Sequence, residues 1–442
     1  MYFNILTPNS TPIFRYIVWI LGKIMEGIFI VLDKLGIPNI GLSIILFTLF
    51  VNVAMIPLTY KQQKFSKLSM KMNPEIKAIQ KKYEGKRDQD SMMKMNAETQ
   101  AVYAKYGVSQ TGSCVYLLIQ MPILFALYRV IYQIPAYVTQ IGDTFRVLAD
   151  KIVSTDNGSF ITDNPDALES VTSAINMYKK NLALEGNLSN GIIDVLNRVS
   201  SADMSVIANH YGLSDLTFNG KNILSTLDAS GNIINKGLID IYNTFLGLNI
   251  RNTPWYIMKE SFVSHAYLIM IAAVLIPLIS GFTQWLSVKL APNQAQPTGD
   301  NSQADSVAQS MKTMNVMMPL MSIWFCFTLP AGMGIYWIAN AVVRIVLQIF
   351  MNKKIDKIDF DELVKKNAGK SQKKLEKMQA QQAQMQSYAA LNTRSIKNKA
   401  SYVNKDATSD DASGSSSPAN YAPGSMAAKA NMVAEFNKRN SK

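Results

Sequence analysis

Cysteine is almost missing from this 442-residue chain: Cys114 and Cys326 are the only two, and both fall inside long apolar stretches. That excludes a disulfide framework and a cysteine metal site, and leaves both as small packing residues. No cysteine precedes position 114 and no small-x-small motif follows the first apolar stretch, so the N-terminus is expected to carry neither a lipoprotein anchor nor a cleaved signal. Histidine is as scarce. His210 and His265 have no partner at metal-ligand spacing, so no zinc site and no cofactor is expected. There is no GxxxxGK[ST] run to cradle a nucleotide and no hydrolase nucleophile signature. Acidic residues are absent from every long apolar stretch, which argues against the proton-relay carboxylates of many transporters. The chain is expected to work by binding and geometry, not as an enzyme.

What it has in abundance is apolar residues gathered in blocks. Ile40–Leu58, Cys114–Pro135, Ala266–Val288, Met314–Leu329 and Gly332–Met351 each approach the length needed to cross about 30 Å of hydrocarbon. A mean hydropathy of only +0.06 reflects the long polar segments between them. The fold class is therefore an all-α polytopic membrane protein, with a five-helix core over 39–136 and 246–352. Residues 1–38 hold an amphipathic helix: Arg15, Lys23, Glu26, Asp33 and Lys34 fall within about a third of the helical wheel. That pattern suits an interfacial helix, with a sixth span as the alternative.

Charge orients the chain. Tyr60–Gly112 carries 11 Lys/Arg against 5 acids and Asn352–Lys442 carries 17 against 9, whereas Ala136–Glu260 carries 9 against 13. The positive-inside rule places the first two in the cytoplasm and 137–260 outside a cell membrane. Residues 60–112 read as a helical hairpin turning around Gly85–Asp88, with Asn73-Pro74 starting or kinking a turn in its first arm. Its methionines Met70, Met72, Met92 and Met93 suit internal packing or an adaptable client surface. The insert 137–245 reads as a small, mostly helical domain with turns at Asp156-Asn157-Gly158 and Asn219-Gly220. The tail 353–442 is basic and partly disordered by composition.

The spans also contain polar residues. Asn52 and Arg344 lie six or seven residues from the basic ends of their segments, about 10 Å in from the same face. An intramembrane Arg is costly, so Arg344 either faces a wet cavity or snorkels to the surface. Gln120, Gln284 and Asn340 suit interhelical hydrogen bonds or the lining of that cavity.

These residues resemble the YidC/Oxa/Alb family of membrane protein insertases, in a Gram-positive-like form with an enlarged external loop. The resemblance rests on Gly41-Leu42-Ser43-Ile44-Ile45, Pro57-Leu58, Asn73-Pro74-Glu75, Tyr106-Gly107-Val108, Gly112-Ser113-Cys114, Gln120-Met121-Pro122, Pro330-Ala331-Gly332 and Tyr336-Trp337. It implies an insertase and chaperone with a hydrophilic, cytoplasm-facing groove lined by Asn52, Gln120, Gln284, Asn340 and Arg344. The groove draws in the polar segment of a nascent membrane protein while the client's apolar helix slides along the lipid-facing flank. The Sec translocon is an implied partner, as is the ribosome through the basic tail; a solvated helix and membrane-surface binding are the alternative readings of that charge. The chain departs from the family where the first core span usually carries a groove Arg: Asn52 stands there, and Arg344 is expected to supply the charge from the facing helix. A small-solute transporter or channel is the competing reading, and it predicts intramembrane carboxylates and internal repeats that the sequence lacks.

Overall fold

The computed structural model describes residues 12–86, 88–107, 112–163, 168–183, 186–227, 233–290 and 303–359, with 362, 365 and 380. Most of the tail lies outside them, as does the loop 291–302.

Helix α1 (Pro12–Lys34) buries Val18, Leu21, Met25, Phe29 and Leu32, a stripe at intervals of three and four residues. That stripe packs against α2 (Ile40–Ala54) and α5 (Gly112–Tyr132). Asn39 starts α2 by accepting from the Leu42 amide at 3.1 Å. At Met55 the chain bends by 59° into α3 (Ile56–Lys82), which pairs with α4 (Gln89–Lys105) as the hairpin read from the sequence. Its turn uses Gly85 at φ +76°, with Asp88 capping α4 through the Ser91 amide.

The expected break at Asn73-Pro74 is not there. Helix α3 continues through Pro74, which is exposed; the proline has no amide to give the Met70 carbonyl, and the turns on either side carry the helix across. Two glutamates hold the arms together. Glu75 accepts from Lys105 Nζ at 2.9 Å and the Tyr106 hydroxyl at 2.8 Å, and Glu98 accepts from Lys82 Nζ at 2.6 Å and the Tyr83 hydroxyl at 2.8 Å.

After α5 comes α6 (Ile134–Tyr137), and then the insert: α7 (Thr139–Asp156), α8 (Ser159–Asp163), α9 (Glu169–Leu182), α10 (Leu188–Leu196) and α11 (Ser201–Tyr211). Three antiparallel two-stranded ladders follow: β1 (Thr217–Phe218) with β2 (Lys221–Asn222), β3 (Thr226–Leu227) with β4 (Ile233–Asn235), and, after α12 (Leu238–Asn243), β5 (Thr244–Phe245) with β6 (Leu248–Asn249). Both turn signals read from the sequence hold: Asn157 and Gly158 end α7, and Asn219 and Gly220 join β1 to β2, all with positive φ. Among the described residues the insert's core is continuous with that of the neighbouring helices. Phe145, Leu148, Ile152, Ile192, Ile207 and Tyr242 belong to one buried cluster with Phe29 of α1, Ile44 and Phe47 of α2, and Met333 and Tyr336 farther along the chain.

Helix α13 (Pro254–Val263) leads into α14 (Tyr267–Leu290), followed by α15 (Gln303–Thr328) and α16 (Ala331–Asp356). By length and apolar composition α14 and α16 can each cross a membrane, and the bent pair α2–α3 passes the same test as a unit. The apolar parts of α5 and α15 are shorter, Leu118–Tyr132 and Val316–Thr328. Helices α14, α15 and α16 meet at Gly334, where a Cβ would lie 2.5 Å from Ile276 Cγ2 and 2.6 Å from Cys326 Sγ. Cys326 is fully buried there, as a packing residue should be.

Candidate functional site: a polar seam along the last helix

Five polar residues of α16 recur at four-residue intervals: Asn340, Arg344, Gln348, Asn352 and Asp356. On a helix this spacing makes a continuous ridge. Four of the five are engaged. Asn52 Nδ2 donates to Asn340 Oδ1 at 3.1 Å and to the Thr48 carbonyl of its own helix at 2.8 Å. Gln63 Nε2 donates to Gln348 Oε1 at 2.6 Å, and Gln348 Nε2 to Asn352 Oδ1 at 2.9 Å. At the end of the ridge Lys67 pairs with Asp356. Below this seam Leu68, Met351 and Ile355 form an apolar cluster that fastens the base of α3 to α16.

Arg344 is the exception. Its side chain is exposed and, among the described residues, has no hydrogen-bond or ion-pair partner. It is the ridge's available charge.

The expectation of equal depth for Asn52 and Arg344 fails by one helical turn. Helix α2 stops at Ala54, so Asn52 sits in its last turn beside the 59° bend and is level with Asn340. Arg344 is four residues farther along α16, about 6 Å at helical rise. The sequence pairs the first and last spans correctly but assumes a straight first span.

Of the other expected groove residues, Gln120 is exposed and Gln284 half-buried, and among the described residues no hydrogen bond ties either to the Asn52–Asn340 pair. On the hairpin, Met92 is exposed, Met70 and Met93 are half-buried and Met72 is fully buried, so Met72 packs and presents no surface. Sequence reasoning missed Gln63, Lys67 and Asp356. The four-residue spacing on α16 was the signal for Asp356; Gln63 and Lys67 needed the fold.

At the opposite end of α16 the residues 250–252 join the insert to the spans. The Ile250 and Asn252 carbonyls accept from the Gly332 and Ala331 amides, each at 2.9 Å. Arg251 between them donates to the Leu196, Val199 and Asn197 carbonyls at 2.7, 3.0 and 3.4 Å. The Leu196 and Asn197 carbonyls end α10, where helix geometry leaves acceptors without partners, and Val199 follows just beyond it. Burial pushes the Arg251 guanidinium down to about 10, with Asp240 pulling the other way, so it stays charged at neutral pH.

The model of the 60Kd inner membrane protein family matches residues 31–197 and 236–358, more than half of the chain. The chain belongs to that family. The 60Kd inner membrane protein match leaves out 198–235, which holds α11 and the β1–β2 and β3–β4 ladders. Among individual proteins, the chain is similar to the membrane protein insertase YidC of Oceanobacillus iheyensis, 35% identical over 132 residues, 29% of this chain and 50% of that protein. It is also similar to the insertase MisCA of Bacillus subtilis, 36% identical over 122 residues, 28% of this chain and 45% of that one. Membrane protein insertase YidC 1 of Streptococcus agalactiae is 44% identical over a shorter 96 residues, 22% of this chain and 35% of that protein. The chain thus spans about half the length, or less, of these curated relatives.

Proposed function

We propose that this protein is a membrane protein insertase and chaperone that works through the polar seam between α2, α3 and α16. The names of its relatives support this reading, and the observation that carries it is the exposed Arg344, without a partner among the described residues, in a ridge whose other polar groups are engaged. An acidic or polar segment of a nascent membrane protein is drawn to that charge. The Asn52–Asn340 amides then exchange their mutual hydrogen bond for bonds to the client backbone, so neither side is left unsatisfied in lipid. Gln120 and Gln284 line the rim, and Met92 offers a flexible contact on the hairpin. Burying the client's apolar helix in the bilayer drives the process at about 25 cal/mol per Å2, without bond chemistry or nucleotide.

In this reading five spans form the core. The hairpin and C-terminus lie in the cytoplasm, 137–260 lies outside the cell membrane, and α1 rests in the interface. The Sec translocon is a partner for some clients and the ribosome engages the tail. A photocrosslinker at Asn52 should capture a nascent client. Arg344→Ala should lower insertion of acidic-tailed clients in a depletion strain by about tenfold, the loss of one charge-assisted contact. Asn52→Arg combined with Arg344→Ser should recover most of it. Unchanged insertion by Arg344→Ala removes the groove charge from the mechanism.

A further inference from the structure

Helix α13 is apolar on two faces. Pro254, Ile257 and Ser261 form the buried one, where Ile257 packs with Leu248 of β6 and Ala273 of α14. The other carries Trp255, Phe262 and Val263, which are 51%, 65% and 77% exposed, with Lys259 among them and its Nζ 5.7 Å from the Trp255 ring centre. At 100° per residue these four fall within roughly a third of the wheel, away from the buried residues. In water this face would forfeit the transfer free energy of three large side chains.

The placement of α13 is fixed. Thr253 caps its start through the Tyr256 amide at 3.1 Å. Its end closes in a Schellman turn: the Ala266 amide reaches the Ser261 carbonyl at 2.8 Å and the His265 amide the Phe262 carbonyl at 3.4 Å. His265 takes the left-handed position, φ +57°, that glycine usually fills. One residue later α14 begins, and α14 is a helix long and apolar enough to span a membrane. At 24 residues it is about 36 Å long against about 30 Å of hydrocarbon, so its first turn, with Leu268 84% exposed, already lies at the boundary. A helix tied that closely to a span is at the level of the lipid headgroups.

We propose that α13 lies in the phospholipid headgroup layer on the insert's side of the membrane, with Trp255, Phe262 and Val263 in contact with lipid and Lys259 paired with lipid phosphate. Tryptophan is the residue type that such interfaces favour, and the lysine stem lies along apolar surface while its ammonium reaches the phosphates. The face anchors the end of the insert at a set depth beside α14.

The test uses the full chain in phosphatidylcholine–phosphatidylglycerol vesicles. With Cys114→Ala and Cys326→Ala as background, single nitroxide labels are placed at Glu260, Phe262 and Val263. Collision with oxygen should exceed collision with a water-soluble nickel chelate several-fold at 262 and 263, with the reverse at 260. Nickel preference at 262 and 263 overturns the proposal, and so does exclusion of both colliders, which would mean a second copy or another part of the protein covers the face. A second measurement keeps the native cysteines. Trp255→Phe should remove a component of the fluorescence that shallow brominated lipid quenches; if the component removed is one that this lipid does not quench, the proposal fails.

Discussion

Arg251 is the residue whose removal should be felt most in the insert. Its charge is buried against the Leu196 and Asn197 carbonyls at the end of α10 and the Val199 carbonyl just beyond, and lies 5.5 Å from the Phe145 ring centre, with no carboxylate in salt-bridge contact among the described residues. Carbonyls at a helix C-terminus carry partial negative charge, which offsets the cost of burying the guanidinium. Arg251→Ala leaves those acceptors without a donor and should cost about 3 kcal/mol, visible as a lower Tm of the detergent-solubilised protein. Nothing near residue 251 in the sequence announces this role, because its partners lie more than fifty residues earlier. Asn52 and Arg344 were legible for the opposite reason: a polar residue in an apolar run stands out in one dimension. Their level relative to each other was not, since it depends on the bend at Met55.

Between elements, the hairpin depends on its two glutamates. Burial alone would raise the Glu75 carboxyl, but hydrogen bonds from Lys105 and Tyr106 and the Lys105 charge outweigh it and hold the group below its usual range. Hydrogen bonds from Lys82 and Tyr83 do the same for Glu98. Both bind protons less readily folded than unfolded, so their contribution is complete above the ordinary carboxylate pKa of about 4.3 and is lost as pH falls through the lowered folded values. Labels at Ala78 and Asn96 should report the arms separating as pH falls below about 4.3, with Glu75→Gln already partly separated at neutral pH. The hairpin and its turn were legible from helical periodicity and from Gly85–Asp88. The continuity of α3 through Pro74 was not, because a proline in a helical pattern reads as a break until its surroundings are known.

Taken whole, the chain has a formal net charge of +13, much of it in the tail beyond Asn352. If that charge engages ribosomal RNA phosphates, truncation after Asn352 should abolish co-sedimentation with ribosomes, and the intact chain should lose it steeply as salt is raised. Co-sedimentation that survives truncation places the contact elsewhere. The all-α polytopic character and the helices of the hairpin and the insert were readable at this scale. The merging of the insert's core with α1, α2 and α16 was not, since it arises from contacts between segments hundreds of residues apart. The backbone bonds from Ile250 and Asn252 to Gly332 and Ala331 have a consequence for assembly in time. Synthesis runs from the N-terminus, so the insert and the 250–252 segment exist before the α15–α16 turn is made. When the insert folds before α15 and α16 emerge, the last hairpin docks onto a template already in place, and damage to the insert should surface as a late failure to close the bundle.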